Sequence, residues 1–462
     1  MKIQRFEVPG LAHYSYLLSS EGKAVVIDPK RDIDTYTDFA AQADLAITHI
    51  LETHIHADYA SGARELAQAT GAEVWVSGHD QAEDFQYQFL HHDFRDGESL
   101  EVGGMRIVAM WTPGHTPEHL SFLLYEKAGN SPPMALFSGD FVFVGSLGRP
   151  DLLGEAAKQK LAGQLYESVH AKIKSLPDGV EVYPAHGAGS MCGAGMGERP
   201  QTTLGYERAM NRYFNIAAKP DFTNEILATV PEFPEYYKRM KRVNSEGPAL
   251  LGGIPGREEI PLAEFKGLIA DPSAVVIDLR RQEAFGGGHI PGSFNIGGDN
   301  SLATWASWVV PYDRPIYLVG EENVEYHARR ALIRVGLDDV RGYLKGGFKS
   351  WLLAGLPVAH VPQISTGELH DRVGKNGAVV LDVRSPGEWK GGHIAAAKHI
   401  PAGALPGRAS ELPKDKPIYI ICGSGYRSSL STSVLRRAGF ENVTNVMGGM
   451  TAWTRAKLPV TK

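Results

Sequence analysis

The residues best equipped for chemistry fall in five short clusters. Thr53-His54-Ile55-His56-Ala57-Asp58 sets two imidazoles and a carboxylate close together, and Gly114-His115-Thr116-Pro117-Glu118-His119, Ser138-Gly139-Asp140 and Pro184-Ala185-His186-Gly187 follow in order. Imidazoles and carboxylates are donors for first-row metals, and ligands from separate loops can converge on one ion. The fifth cluster, Cys422-Gly423-Ser424-Gly425-Tyr426-Arg427-Ser428, holds a thiol instead. A loop entering a helix turns several N–H groups inward and adds the positive end of the helix dipole, which favours a thiolate. Cys422 is therefore a candidate nucleophile, with Gly423, Ser424, Gly425, Tyr426 and Ser428 as its cradle and Arg427 closing the ring round a small anion or a persulfide. A phosphatase loop has similar form, but its C-x5-R spacing is longer than the four-residue gap here, which suits sulfur. A buried, inert cysteine is the plainer alternative.

Each metal-type cluster follows a β-like run: Leu45 to Leu51, Arg106 to Trp111, Met134 to Phe137 and Val180 to Tyr183. Ile3 to Val8, Tyr14 to Ser19 and Ala24 to Asp28 also read as strands, and Ser61 to Thr70 as a helix ended by Gly71 before the strand Glu73 to Ser77. Leu152 to Ser175 and Thr203 to Arg242 read mainly as helices. The turn-formers Ser245-Glu246-Gly247-Pro248 and Gly252-Gly253-Ile254-Pro255-Gly256 mark a linker. Beyond it the chain repeats itself. Val275 to Arg280 returns as Val379 to Arg384, Gly288-His289-Ile290 as Gly392-His393-Ile394, and Pro315 to Val319 as Pro417 to Ile421. Gly346-Gly347-Phe348 to Trp351 returns as Gly448-Gly449-Met450 to Trp453. Short apolar strands alternating with helices predict a parallel sheet covered on both faces in each copy. Registering Pro315 on Pro417 sets Gly320 where Cys422 stands and Glu325 where Arg427 stands, so the loop Gly320-Glu321-Glu322-Asn323-Val324-Glu325 lacks a nucleophile and has the wrong charge for an anion.

The chain has 462 residues, enough for roughly three domains of about 150 residues each. A formal net charge of -6 gives no case for nucleic acid or an anionic membrane. No apolar stretch reaches membrane-spanning length, and Met1 to Gly10 has no signal-peptide core, so a cytoplasmic protein is expected. Two cysteines, Cys192 and Cys422, exclude a disulfide scaffold and point to thiols with a chemical role.

The ordered H-x-H-x-D, GH, D and PAH motifs make the first block resemble a metallo-β-lactamase-fold hydrolase or oxygenase, and the last block resembles a single-domain rhodanese. Together the blocks resemble bacterial fusions of a persulfide dioxygenase, a degenerate rhodanese and an active rhodanese. The fold implied is α/β: an αββα metallo-β-lactamase sandwich over 1–245, a linker over 246–258, a Cys-less rhodanese-like domain over 259–360 and an active one over 361–462. Two-metal members of the fold carry a histidine directly after the motif aspartate, where this chain has Tyr59. A neutral phenol is a poor ligand, so one metal is expected. By resemblance His54, His115 and Asp140 would hold a single Fe(II), leaving open positions for substrate and dioxygen. His56, Asp58 and His186 would then orient ligands or bound water. Their other reading is zinc ligation, as in glyoxalase II-like thioesterases.

Arg149, in Gly148-Arg149-Pro150-Asp151, attracts an anionic thiol substrate or merely pairs with Asp151. Cys192, in a glycine-rich loop, relays sulfane sulfur or is an inert small side chain. The activity implied is oxidation of a thiol persulfide to sulfite and thiol, with Cys422 making or consuming thiosulfate. The partners are then the persulfide, O2 and sulfite or thiosulfate, with a homo-oligomer left open. A zinc thioesterase with an accessory sulfurtransferase is the alternative, and a sulfur carrier or sensor with a docking metal domain is a third reading.

Overall fold

Alternation along the first strands explains why two sheets stack. In the computed structural model, which describes all residues except 82, 127–130, 231–233, 322–323 and 375–376, Tyr16, Leu18, Val25 and Ile27 meet Ile107, Phe122, Leu124 and Phe137 in one core. Their neighbours Leu17 and Val26 face the other way, onto Tyr36 and Ala40 of the helix Asp34–Gln42 and Ala63 and Leu66 of the helix Ala63–Thr70. Leu123 and Leu136 likewise turn outward, onto Ala162 and Leu165 of Glu155–Glu167 and Phe222 and Ile226 of Lys219–Thr229. The period of two therefore builds a helix–sheet–sheet–helix sandwich, each strand buried on both faces.

The first sheet runs Lys2–Val8, His13–Ser20, Lys23–Ile27, Ala46–Leu51, Glu73–Ser77 and His92–Phe94. The second runs Thr202–Thr203, Glu181–Pro184, Ala135–Gly139, Leu120–Glu126, Met105–Trp111 and Ser99–Val102. Within it Met105–Trp111, Ala135–Gly139 and Glu181–Pro184 point the same way, so the segments carrying His115, Asp140 and His186 leave from one edge.

The helix expected from Ser61 begins only at Ala63. Ser61 instead bridges Lys30, and Gly62 lies so close that a Cβ there would sit 2.1 Å from the Lys30 carbonyl oxygen. The helical reading of Leu152 to Ser175 narrows to Glu155–Glu167 and a wide turn, Ser168–Lys172. The stretch from Thr203 breaks into Leu204–Met210, Arg212–Asn215, Lys219–Thr229 and Tyr236–Glu246, because Asn211 is extended and caps the turn after it.

Residues 1–253 with 333–336 form one unit, and 254–332 with 337–462 a second. The second unit holds two five-stranded sheets with the same parallel order. One is Glu259–Ile260, Val340–Leu344, Ile316–Val319, Val275–Asp278 and Phe294–Asn295. The other is Gln363–Ile364, Val443–Val446, Ile418–Ile421, Val379–Asp382 and Ala397–His399. The repeated motifs do the same work in each. Arg280 is held by Asp278 and the Gly288 carbonyl, and Arg384 by Asp382 and the Gly392 carbonyl. The Trp351 and Trp453 indoles donate to Pro357 and Pro459. Among the described residues no helix is long and apolar enough to cross a membrane.

Candidate metal centre and sulfur-transfer loop

His54, His115 and Asp140 converge as the sequence suggests. Their nearest ligand atoms lie within 4.8 Å of one another, and all three residues are buried. Asp140 Oδ2 is 3.8 Å from His54 Nε2 and 3.4 Å from His115 Nε2. His115 Nε2 and Asp140 Oδ2 have no hydrogen-bond partner, and leaving buried polar atoms bare costs free energy unless something binds them. A cation between the three groups would satisfy them. The donor set fits a first-row metal.

The neighbours fix which nitrogen faces that point. Thr53 Oγ1 donates its only hydrogen to Asp28 Oδ2 (2.8 Å), so it accepts from His54 Nδ1 (2.9 Å). The Arg149 carbonyl accepts from His115 Nδ1 at 2.8 Å. Both Nε2 lone pairs are thereby left available to a metal, the arrangement by which a second partner orients a metal-ligating histidine. Burial, with the neighbouring His56 and His115, pushes His54 well below its ordinary pKa, and burial takes His115 down to about 4. Asp140 is held well below the usual carboxylate range: burial opposes its charge, but His186 more than offsets that. All three donors are thus in their metal-binding forms at neutral pH.

His119 had no role assigned from the sequence, yet it positions Asp140. Its Nε2 accepts from the Asp140 N–H (3.1 Å), while its Nδ1 donates to Thr112 Oγ1 (2.9 Å). Gly139 makes this possible, for at φ +54° its Cβ would fall 2.6 Å from His119 Nε2 and 2.8 Å from Thr53. The helix Tyr236–Glu246 was equally invisible as a support. The Tyr236 hydroxyl donates to the Asp58 carbonyl, Lys241 Nζ to Ile55, and Asn244 Nδ2 to both His56 and Tyr59. It clamps the motif loop by its carbonyls. Glu118 takes the Ile55 N–H from the other side. His13, wholly buried against the rings of Tyr59 and His186, also gave no signal, since it sits alone at a strand start.

His56, Asp58 and His186 occupy other positions. His56 Nε2 lies 3.1 Å from Asp28 and 3.4 Å from Glu52; although burial opposes it, these carboxylates raise its pKa to about 10. His186 bridges Asp58 Oδ2 (2.8 Å) and Asp140 Oδ1 (2.7 Å), which raise its pKa well above normal against the cost of burial. The Tyr59 hydroxyl donates to the Asp28 carbonyl at 3.3 Å, so it is turned towards the first sheet. Cys192 is buried with its sulfur among Asp58 and His186, and burial together with Asp58 and Asp140 keeps it a thiol. Arg149, 1% exposed, forms a two-pronged pair with Asp151 (2.7 and 2.8 Å) and donates to the Met191 carbonyl. Of the two readings of Arg149, the geometry supports pairing with Asp151.

In the last repeat Cys422 directly follows the strand Ile418–Ile421, and the helix Tyr426–Arg437 starts after Gly425. The Gly425 N–H points at Cys422 Sγ (3.1 Å), and Ser428 Oγ lies 3.4 Å away. Gly448 and Gly449 brace the loop from behind; a Cβ on Gly449 would come within 2.4 Å of the Cys422 carbonyl oxygen. Arg427 does not close the ring alone. It pairs with Glu388 through both nitrogens (2.6 and 2.7 Å) beside Gly423, so a carboxylate shares its fork. In the middle repeat Gly320 directly follows the equivalent strand, Ile316–Val319, and Glu325 lies in the first turn of the helix Val324–Arg334; Glu322 and Asn323 lie outside the described residues.

Residues 8–187 match the Metallo-beta-lactamase superfamily, and residues 261–354 and 365–456 each match a Rhodanese-like domain. A probable polyketide biosynthesis zinc-dependent hydrolase of Bacillus velezensis is 30% identical over 218 residues, 46% of this chain and 86% of that protein. A hydroxyacylglutathione hydrolase of Francisella philomiragia is 34% identical over 187 residues, 40% of this chain and 68% of that one. A metallo-beta-lactamase structure from Staphylococcus aureus shares 35% identity at a TM-score of 0.64, covering 74% of this chain and 98% of its own. The sandwich, its converging donors and these likenesses agree: the chain belongs to the metallo-beta-lactamase superfamily, with two rhodanese-like domains after the lactamase-type fold.

Proposed function

We propose that the first unit oxidises a low-molecular-weight thiol persulfide with dioxygen at one ferrous ion, and that Cys422 passes sulfane sulfur to or from sulfite. The balance is R–S–SH + O2 + H2O giving R–SH, sulfite and two protons. The observation that carries this reading is that each second-metal donor has a carboxylate or a carbonyl beside it. His186 is held between two carboxylates, His56 pairs with Asp28 and Glu52, and Tyr59 is turned to a backbone carbonyl. In the His54, His115 and Asp140 set, His115 Nε2 and Asp140 Oδ2 have no hydrogen-bond partner. A ferrous ion held by His54, His115 and Asp140 would supply the redox chemistry that joins dioxygen to the persulfide sulfur. The chain's own part is positional: Thr53 and the Arg149 carbonyl aim the imidazoles, His119 and His186 hold Asp140, and burial keeps bulk water from the donors.

At the second site the Cys422 thiolate attacks the outer sulfur of thiosulfate. The S–S bond breaks, sulfite leaves with the electron pair, and a cysteine persulfide remains for an acceptor. The reverse makes thiosulfate from the sulfite of the first reaction. The Gly425 N–H and Ser428 hydroxyl support the negative sulfur in either direction.

A zinc thioester hydrolase is the second reading, favoured by the relatives' names and by Asp58, His186 and Cys192 lying close enough to ligate. Metal analysis of anaerobically purified protein, with oxygen uptake on glutathione persulfide, separates the two. One iron per chain with oxygen consumed and sulfite released is expected. Two zinc ions per chain and thioester cleavage without oxygen uptake would overturn the proposal.

A further inference from the structure

We propose that Trp305, contributed by the repeat without a cysteine, is a positioning residue for sulfur transfer at Cys422: with Glu388 it confines the Arg427 guanidinium to the mouth of the loop. This rests on the sulfur-transfer reading of Cys422.

The segment from Phe294 to Val309 of the Cys-less repeat lies along the active loop and its helix. Asn295 Oδ1 accepts from Ser429 Oγ at 2.6 Å, and the Asn295 N–H donates to Ser433 Oγ at 3.2 Å. The Tyr426 hydroxyl donates to the Gly297 carbonyl (3.3 Å), and its ring lies so close that a Cβ on Gly297 would sit 3.0 Å from it. Further on, Trp308 of the helix Leu302–Val309 packs on Gly403, where a Cβ would overlap the indole at 1.4 Å. That helix is thereby seated against the active repeat, and Trp305, one turn before Trp308, faces the guanidinium of Arg427 at 5.9 Å from the ring centroid.

Three groups flank the Arg427 guanidinium. Glu388 takes its fork, Gly423 lies alongside it, and the Trp305 ring faces it. Glu388 itself is pinned by Ser385, whose N–H donates to Glu388 Oε2 at 3.0 Å and whose hydroxyl accepts from the Glu388 N–H at 3.3 Å. A dianionic donor reaching Cys422 must share the guanidinium with Glu388. An aromatic face holds a cation that is exchanging one anionic partner for another, because the ring attracts it without competing for its hydrogens. The Cys-less repeat therefore supplies a side chain to its neighbour's site as well as packing.

The test uses the full-length protein, with thiosulfate as sulfur donor and cyanide as acceptor, following thiocyanate. Cys422 takes the outer sulfur, sulfite leaves, and cyanide removes the sulfur to restore the thiolate. Trp305→Ala should raise the thiosulfate KM about three- to tenfold while kcat stays within about twofold, since Cys422 and its N–H donors are untouched. Trp305→Phe, which keeps a π face, should restore most of the KM; Trp305→Leu, which keeps only bulk, should not. An unchanged KM in Trp305→Ala, or equal rescue by Leu and Phe, overturns the proposal. Wild-type protein that forms no thiocyanate would overturn the sulfur-transfer reading beneath it.

Discussion

Thr53→Val is the sharpest probe of the metal centre, because valine matches threonine in shape and puts a methyl group in place of the hydroxyl. That hydroxyl makes two buried contacts, donating to Asp28 at 2.8 Å and accepting from His54 Nδ1 at 2.9 Å. The backbone bond from Thr53 N–H to Asp28 Oδ1 (2.7 Å) survives, so the loop keeps its anchor. His54 loses the partner that holds its proton on Nδ1, and the Nε2 lone pair is no longer guaranteed to face Asp140. Removing such a supporting partner costs about 10- to 100-fold in metal affinity, or about 1.4 to 2.7 kcal/mol. Competition against a chelator under anaerobic conditions reads the affinity directly, and Thr53→Ser, which restores the hydroxyl, should recover it. An affinity equal to wild type in Thr53→Val, or the same loss in Thr53→Ser, would show that the hydroxyl does not set the histidine's orientation.

Two further outcomes follow from the same geometry. Cys422→Ser should abolish thiosulfate sulfur transfer and leave persulfide-dependent oxygen uptake near wild type; equal loss of both would mean that the two activities are not chemically separable. For acid stability, burial lowers His115 to about 4 and His119 to about 3, from 6.5 in each case. Between those values and 6.5 the unfolded chain binds protons that the folded one does not, so stability of the metal-free protein rises with pH through that window. His56 has the opposite sign: despite burial, Asp28 and Glu52 raise it to about 10, so its contribution is present below pH 6.5 and lost as pH rises through about 10. Urea midpoints of metal-free protein between pH 4 and 6.5 should climb with pH, and less steeply in His119→Gln. An identical slope in that variant would contradict the assignment.

Much of the architecture was legible before any coordinates. The strand runs ahead of each metal-type cluster hold, because consecutive apolar residues such as Ala135, Leu136 and Phe137 have only one way to bury both faces. Gly71 ends its helix in the left-handed conformation, as a glycine there should. The repeat was plain from identity of short motifs, and both copies show the same strand order. Less visible was everything that acts across long sequence separations. Asn244 grips carbonyls at His56 and Tyr59 from nearly 200 positions away, and nothing in a charged helix marks one asparagine as a clamp. The role of His119 depends on Gly139 letting it approach Asp140, a fact of packing rather than of motif.

By itself, then, the sequence determined the inventory: which side chains can donate to a metal, which thiol stands at a helix entrance, and which repeat lacks one. Those follow from residue type and local period, which are written along the chain. Tertiary structure alone decided the pairings. It turned His56 to Asp28 and Glu52, bridged Asp58 and Asp140 with His186, matched Arg149 with Asp151, and bound Arg427 to Glu388. Which carboxylate a buried cation meets depends on where the folded chain carries it, and burial makes that meeting count by removing the water that would otherwise screen it.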